Sequence, residues 1–186
     1  MHIYYPKQQS RAMPWKNGQG ETRELLLEPS GSSLDHLDFD YRLSMATIKS
    51  SGDFSRFPGY RRILLPVSGA GFALNGHPYA TYEIAHFDGD EAMHCTLLKK
   101  EVTDLGLIYQ PDKIKANARI LTLPFTVNLT LEPDHRYLVT LLDGTLAANG
   151  QAMTAGDTLA LQQESQLELV CSRRATLAFF TLQPVG

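Results

Sequence analysis

The segment Tyr41–Ala46 carries the clearest chemistry in the chain. Side chains on a strand alternate across the sheet, so Arg42, Ser44 and Ala46 share one face while Tyr41, Leu43 and Met45 share the other. Ser44 and Ala46 are small and leave room beside a guanidinium, which is the composition of a polar pocket wall. A guanidinium without an internal carboxylate partner can take one from a ligand through two parallel hydrogen bonds. The structural alternative is internal pairing. Glu21, Glu24 and Asp104 are available to Arg42 or Arg23, and an isolated buried charge costs several kcal/mol. Both arrangements stay open at the level of the sequence.

Other chemistries find less support. The histidines are His2, His36, His77, His86, His94 and His135, with no His-x-His spacing. His86 and His94 flank Gly89-Asp90 across a turn, which is a poor frame for a tetrahedral or octahedral ligand set. The expectation is no metal and no cofactor. No Gly-x-Ser-x-Gly elbow organises a nucleophile. Asn17-Gly18-Gln19-Gly20 leads into a strand rather than a helix, so it does not read as a dinucleotide loop.

The elements that must position Arg42 lie around Gly52–Arg62, a connection with three aromatics, three arginines, one proline and two glycines. Ordering such a loop costs entropy. Two reasons for it coexist: Phe54 and Phe57 plug the end of a barrel, and the rim places Arg62 over a pocket. Trp15, Phe54 and Phe57 serve equally as apolar wall or as core.

Composition sets the frame. The chain has 186 residues, 43% hydrophobic and 20% charged, with a net charge of −3. That is an ordinary globular balance and lacks the basic footprint of a nucleic-acid binder. No run reaches the length of a membrane span, and the first residues lack the order of a signal peptide, so the cytoplasm is expected. Cys95 and Cys171 read as buried free thiols.

Short runs rich in Val, Ile, Leu, Thr, Phe and Tyr, separated by Gly, Pro, Asn and Asp, predict an all-β protein. Strands are expected at 22–27, 41–48, 62–67, 71–74, 82–85, 92–99 and 103–109, then at 118–123, 127–131, 136–142, 145–148, 158–161, 166–170 and 176–182. A helical turn is expected near 32–37. The halves repeat: Arg62–Gly76 resembles Tyr137–Gly150, each ending in Asn-Gly and followed by a Gly-Asp pair. Asn-Gly favours a two-residue hairpin turn because both central positions need positive φ. Two similar barrels follow, broken near 110–117.

The order of glycine, strands and Gly-Asp is similar to the cupin fold. Trp15–Glu24, Tyr41–Ala46, Gly52–Gly59 with Arg62, Phe87–Asp90 and Asp104–Leu107 resemble the HutD/Ves family, with Glu21-Thr22-Arg23-Glu24 closer to the Ves branch. The resemblance covers most of residues 13–108. It implies a bicupin of two double-stranded β-helix barrels: residues 1–110 hold the candidate pocket and residues 111–186 form a structural barrel. The matched motifs also bring Asn17, Thr22, Arg23, Ser55 and Arg62 to the pocket of Arg42 and Ser44. HutD members accompany histidine-utilisation genes and are thought to be regulatory, while Ves members are described as stress-induced. Gln19, within a run that is glycine-rich in HutD, and Leu105-Gly106, in place of Phe-Asn, depart from that pattern.

The leading expectation is a non-catalytic, regulatory or stress-related protein that binds a small anionic metabolite. The alternative is a metal-independent cupin isomerase or hydrolase acting on a small carboxylate, and a third is an interaction module with filled barrels. A homodimer is compatible with the sequence; nucleic acid and membrane are not expected partners.

Overall fold

The structure, a computed structural model, describes residues 1–15 and 17–186. Lys16, inside the first matched motif, lies outside the described residues. In chain order the strands are β1 (His2–Tyr5), β2 (Arg11–Pro14), β3 (Gly20–Glu28), β4 (Tyr41–Ile48), β5 (Gly52–Asp53) and β6 (Arg61–Ser68). Next come β7 (Phe72–Leu74), β8 (His77–Tyr79), β9 (Ala85–Asp88), β10 (His94–Leu97), β11 (Val102–Tyr109) and β12 (Ile114–Leu123). The chain continues with β13 (Val127–Thr130), β14 (Arg136–Asp143), β15 (Thr145–Ala148), β16 (Gln151–Thr154), β17 (Thr158–Gln162), β18 (Gln166–Val170) and β19 (Ala175–Pro184). No α-helix occurs among the described residues.

The strands form two compact units. The N-terminal barrel, Ser10–Asp112, pairs a six-stranded sheet in the order β2-β3-β4-β11-β6-β9 with a four-stranded sheet β5-β10-β7-β8. Its core includes Ile48, Phe72, Leu74 and Cys95. The C-terminal barrel, Lys113–Gly186 with Met1–Gln9, pairs β1-β17-β14-β19-β12 with β13-β18-β15-β16 around Leu141, Leu159, Leu177 and Phe179. Residues 1–9 therefore join the C-terminal unit, whereas the sequence assigned them to the first barrel. Their anchor is Asp157, which accepts hydrogen bonds from the Tyr4 hydroxyl (2.8 Å), the Lys7 N–H (2.9 Å) and the Thr154 N–H (2.8 Å) and hydroxyl (3.0 Å). Burial pushes Asp157 up, but these four donors together hold it below its ordinary value.

The repeated Asn-Gly pairs make the same turn twice. Asn75 and Gly76 have φ of 47° and 85°, and Asn149 and Gly150 have 45° and 79°. Each asparagine also binds the next sheet strand: Asn75 Oδ1 accepts the His94 N–H and Asn149 Oδ1 the Glu168 N–H, both at 2.8 Å. Other expectations need correction. Residues 82–85 are not a strand: Tyr82 has φ 73° in a turn, and β9 begins only at Ala85. Residues 32–37 form turns rather than a helix, with Leu37 at φ 51°. β12 starts at Ile114, which shortens the expected break at 110–117.

Candidate functional site

Across β4, β11 and β6 the register sets three rows, all of whose residues except Pro66 line one cavity of about 500 Å³. The outer row is Arg42, Ile108 and Arg62; the middle row is Ser44, Gly106 and Leu64; the inner row is Ala46, Asp104 and Pro66. β3 extends the wall with Thr22 beside Ala46, and its Glu24 sits beside Ser44. The mouth is rimmed by Trp15, Asn17, Phe54, Ser55 and Phe57.

The two arginines are held differently. Arg42, with a side chain only 6% exposed, donates Nε–H to Glu24 at 2.9 Å. Arg62 makes no ion pair among the described residues. Its guanidinium lies 5.3, 5.4 and 5.0 Å from the ring centroids of Phe54, Phe57 and Phe87, and donates to the Ser55 carbonyl at 3.2 Å. Such contacts contribute about 0.5–2 kcal/mol each and fix a cation without neutralising it. Burial brings Arg62 down to about 10, with Asp104 opposing the shift and Arg42 adding to it.

The loop that carries Phe54 and Phe57 is pinned at Gly89. The Phe57 N–H donates to the Gly89 carbonyl (2.8 Å) and the Gly89 N–H to the Tyr60 carbonyl (2.7 Å). A Cβ at residue 89 would stand 2.3 Å from the Phe57 carbonyl oxygen, so only glycine allows this approach.

Asp104 lies on the inner row and is 5% exposed. Among the described residues its hydrogen bond is from the Ala46 N–H to Oδ1, at 3.2 Å. Burial pushes its carboxyl up to about 7, although Arg62, the Ala46 N–H and Arg42 pull it down.

Of the residues expected at the pocket, Asn17, Thr22, Arg42, Ser44, Ser55 and Arg62 line the cavity. Arg23 does not. It follows Thr22 directly on a strand, so it points to the other face and pairs with Glu21 at 3.3 Å. Internal pairing thus accounts for Arg42 and Arg23, and Arg62 is the guanidinium left without a carboxylate. Thr22 Oγ1 accepts the Trp15 indole N–H at 2.8 Å. Asn17 closes a local turn by accepting the Gln19 N–H at 3.0 Å. Sequence reasoning treated Asp104 only as a pairing partner and did not assign Phe87 to the site. Asp104 carried a readable signal, since it alternates with Gly106 and Ile108 as the one charged residue of a mostly apolar strand.

The HutD family model matches residues 7–179. The chain belongs to the HutD family. An uncharacterized 21.2 kDa protein in the hutC 3′ region of Pseudomonas putida is 39% identical over 109 residues, 56% of each chain. Protein Ves of Citrobacter koseri is 34% identical over 125 residues, 62% of this chain and 63% of Ves. The matches thus span less than two thirds of these relatives' lengths. HutD from Pseudomonas fluorescens SBW25, solved in a formate condition, superposes with a TM-score of 0.81 at 26% identity, over the whole of both chains. A bacterial pirin from Escherichia coli in complex with nickel(II) shares the fold, with a TM-score of 0.75 at 10% identity over both full chains. The HutD chain is therefore an all-β bicupin.

Metal binding is common to the cupin architecture, and the cavity of this HutD protein does not fit it. The charged groups that line it are the guanidinia of Arg42 and Arg62 and the carboxylates of Asp104 and Asp53, with no imidazole among them. Among the described residues no three His, Cys, Asp or Glu side chains converge as ligands. His86 is exposed, and His94 is paired through Nδ1 with Asp53 at 2.6 Å.

Proposed function

We propose that the N-terminal barrel of this HutD-family protein binds a small carboxylate without transforming it, in a regulatory or stress-related role in the cytoplasm, and that the C-terminal barrel is structural. The observation that carries the reading is Arg62, a cation fixed by three phenyl rings over a 500 Å³ cavity and making no ion pair among the described residues. A guanidinium so placed offers its donor fork to an incoming carboxylate. Arg42 stands in the same row, across β11, and adds positive potential, with Ser44, Thr22 and Ser55 as hydroxyl partners. The cavity falls in the size range of small-molecule sites. The regulatory or stress-related part rests on the resemblance to HutD and Ves, with which the relative in the hutC 3′ region and Ves itself accord. Two buried free cysteines accord with a reducing compartment.

One observation favours the enzyme alternative: a buried carboxyl near neutrality, Asp104, is a suitable proton carrier for an isomerase or hydrolase. Product formation from a bound carboxylate would decide for it.

The test is a melting-shift screen of mono- and dicarboxylates, amino acids and their acylated forms. A ligand at a hundredfold excess over its Kd stabilises by about 2.7 kcal/mol. For a chain of this size that is a shift of about 5–10 °C. Arg62→Ala is expected to abolish the shift and Arg62→Lys to weaken it. An equal response in Arg62→Ala overturns the reading.

A further inference from the structure

The charges around the cavity are balanced before any ligand arrives. Arg42 and Arg62 line the cavity with Asp104; Arg42 is neutralised by Glu24 at 2.9 Å, and Asp53, at the rim, is paired with His94. Arg62 faces the cavity with no ion pair among the described residues, and Asp104 lies two rows deeper on the central strand with one hydrogen bond, from Ala46. A carboxylate on Arg62 therefore adds a third anion to a space balanced for two.

Three arrangements could follow. Displacing Glu24 would strip a buried arginine of its charge-assisted bond. Keeping Asp104 ionised would hold two carboxylates together away from water, the arrangement in which one of them retains a proton. Protonating Asp104 breaks no hydrogen bond among the described residues, since the Ala46 N–H goes to Oδ1 and a proton can occupy Oδ2, and the incoming carboxylate replaces its charge beside Arg62.

We propose that the N-terminal barrel takes up one proton from solvent with its carboxylate, the proton resting on Asp104, so that binding is proton-linked. This rests on the carboxylate site proposed above. The other groups around Asp104 do not compete for the proton. From β10, Cys95 is pushed up to about 12 by burial and then by Asp104, so its thiol stays neutral. From β3 and β4, Glu24 and Arg42 neutralise each other; from β6, Arg62 is a cation. At the rim, exposed Asp53 is paired with His94. The Asp104 carboxyl, already held up to about 7, needs only a small further push from a neighbouring anion. Bound, it becomes an O–H donor facing the ligand.

Succinate is the probe, titrated calorimetrically between pH 6 and 9 in two carboxylate-free buffers of different ionisation enthalpy. Expected for the wild type is proton uptake on binding and an affinity that falls about tenfold per pH unit above neutrality. Asp104→Asn keeps an acceptor for the Ala46 N–H; it is expected to bind succinate at least tenfold more tightly than the wild type at pH 8.5, with no such fall. Asp104→Ser, judged by the same loss of slope, serves if the asparagine variant does not fold. Wild-type binding without proton uptake, or an unchanged slope in the variants, overturns the proton link and leaves the carboxylate site standing. No binding by wild type or variants at any pH overturns both.

Discussion

The N-terminal and C-terminal barrels present the same three rows to their interiors, with different occupants. Where the first has Arg42, Ile108 and Arg62, the second has Asn117, Thr181 and Tyr137. Where the first has Ser44, Gly106 and Leu64, the second has Arg119, Phe179 and Val139; Leu121, Leu177 and Leu141 replace Ala46, Asp104 and Pro66. Gly106 against Phe179 matters most. Glycine leaves the centre of the first barrel open, while the phenylalanine ring, 1% exposed, fills the centre of the second. What remains there is a recess of about 180 Å³, with Arg119 lying 4.7 Å over Phe179. The fold supplies a wall, and the side chain at one central position decides between a site and a core.

The largest expected effect of breaking this contrast is on stability. Phe179→Ala should create a cavity in the C-terminal barrel and cost about 3–5 kcal/mol in denaturant unfolding. Carboxylate affinity of the N-terminal barrel should be unchanged in the fraction that stays folded. Next in size, Arg42→Ala leaves Glu24 without its cation and should cost roughly 3 kcal/mol, part of which Glu24→Gln in the same chain restores. Its row equivalent, the exposed Asn117→Ala, should change unfolding by less than about 0.5 kcal/mol. Similar costs for Arg42→Ala and Asn117→Ala would erase the distinction between a charged and an uncharged outer row.

A smaller effect follows from Asp104 alone. Its folded value of about 7 lies above the unfolded value near 4, so between these pH values the folded state binds the extra proton. Stability should therefore fall as pH rises through that window, with a slope of about 1.4 kcal/mol per pH unit at most from this group. Unfolding midpoints at pH 5, 6 and 7 in wild type and Asp104→Asn check the sign, since the variant should lack this contribution.

Much of the architecture could be read from the chain because its strands are short, regular and bounded by turn residues. β4, β15 and β18 lie where alternation put them. β1 and β2 were missed because they are four-residue edge strands with no buried residue, so no apolar alternation marks them. The site was legible within a strand and illegible between strands. Alternation joined Arg42 to Ser44, and it also separates Thr22 from Arg23, a conflict within the residues taken from the matched motifs. That Arg62 shares a row with Arg42 depends on the register of β4 and β6 with β11, which no local pattern encodes. Likewise, the three rings that hold Arg62 come from residues 54, 57 and 87, brought together by the Gly89 contact.

The most direct measurement is a calorimetric titration of wild type, Arg62→Ala and Arg119→Ala with the carboxylate that gives the largest melting shift. Expected is one site per chain in wild type and in Arg119→Ala, with affinity lowered at least a hundredfold in Arg62→Ala, about 2.7 kcal/mol or more. Binding that survives in Arg62→Ala and disappears in Arg119→Ala would move the site to the C-terminal barrel and contradict the central claim.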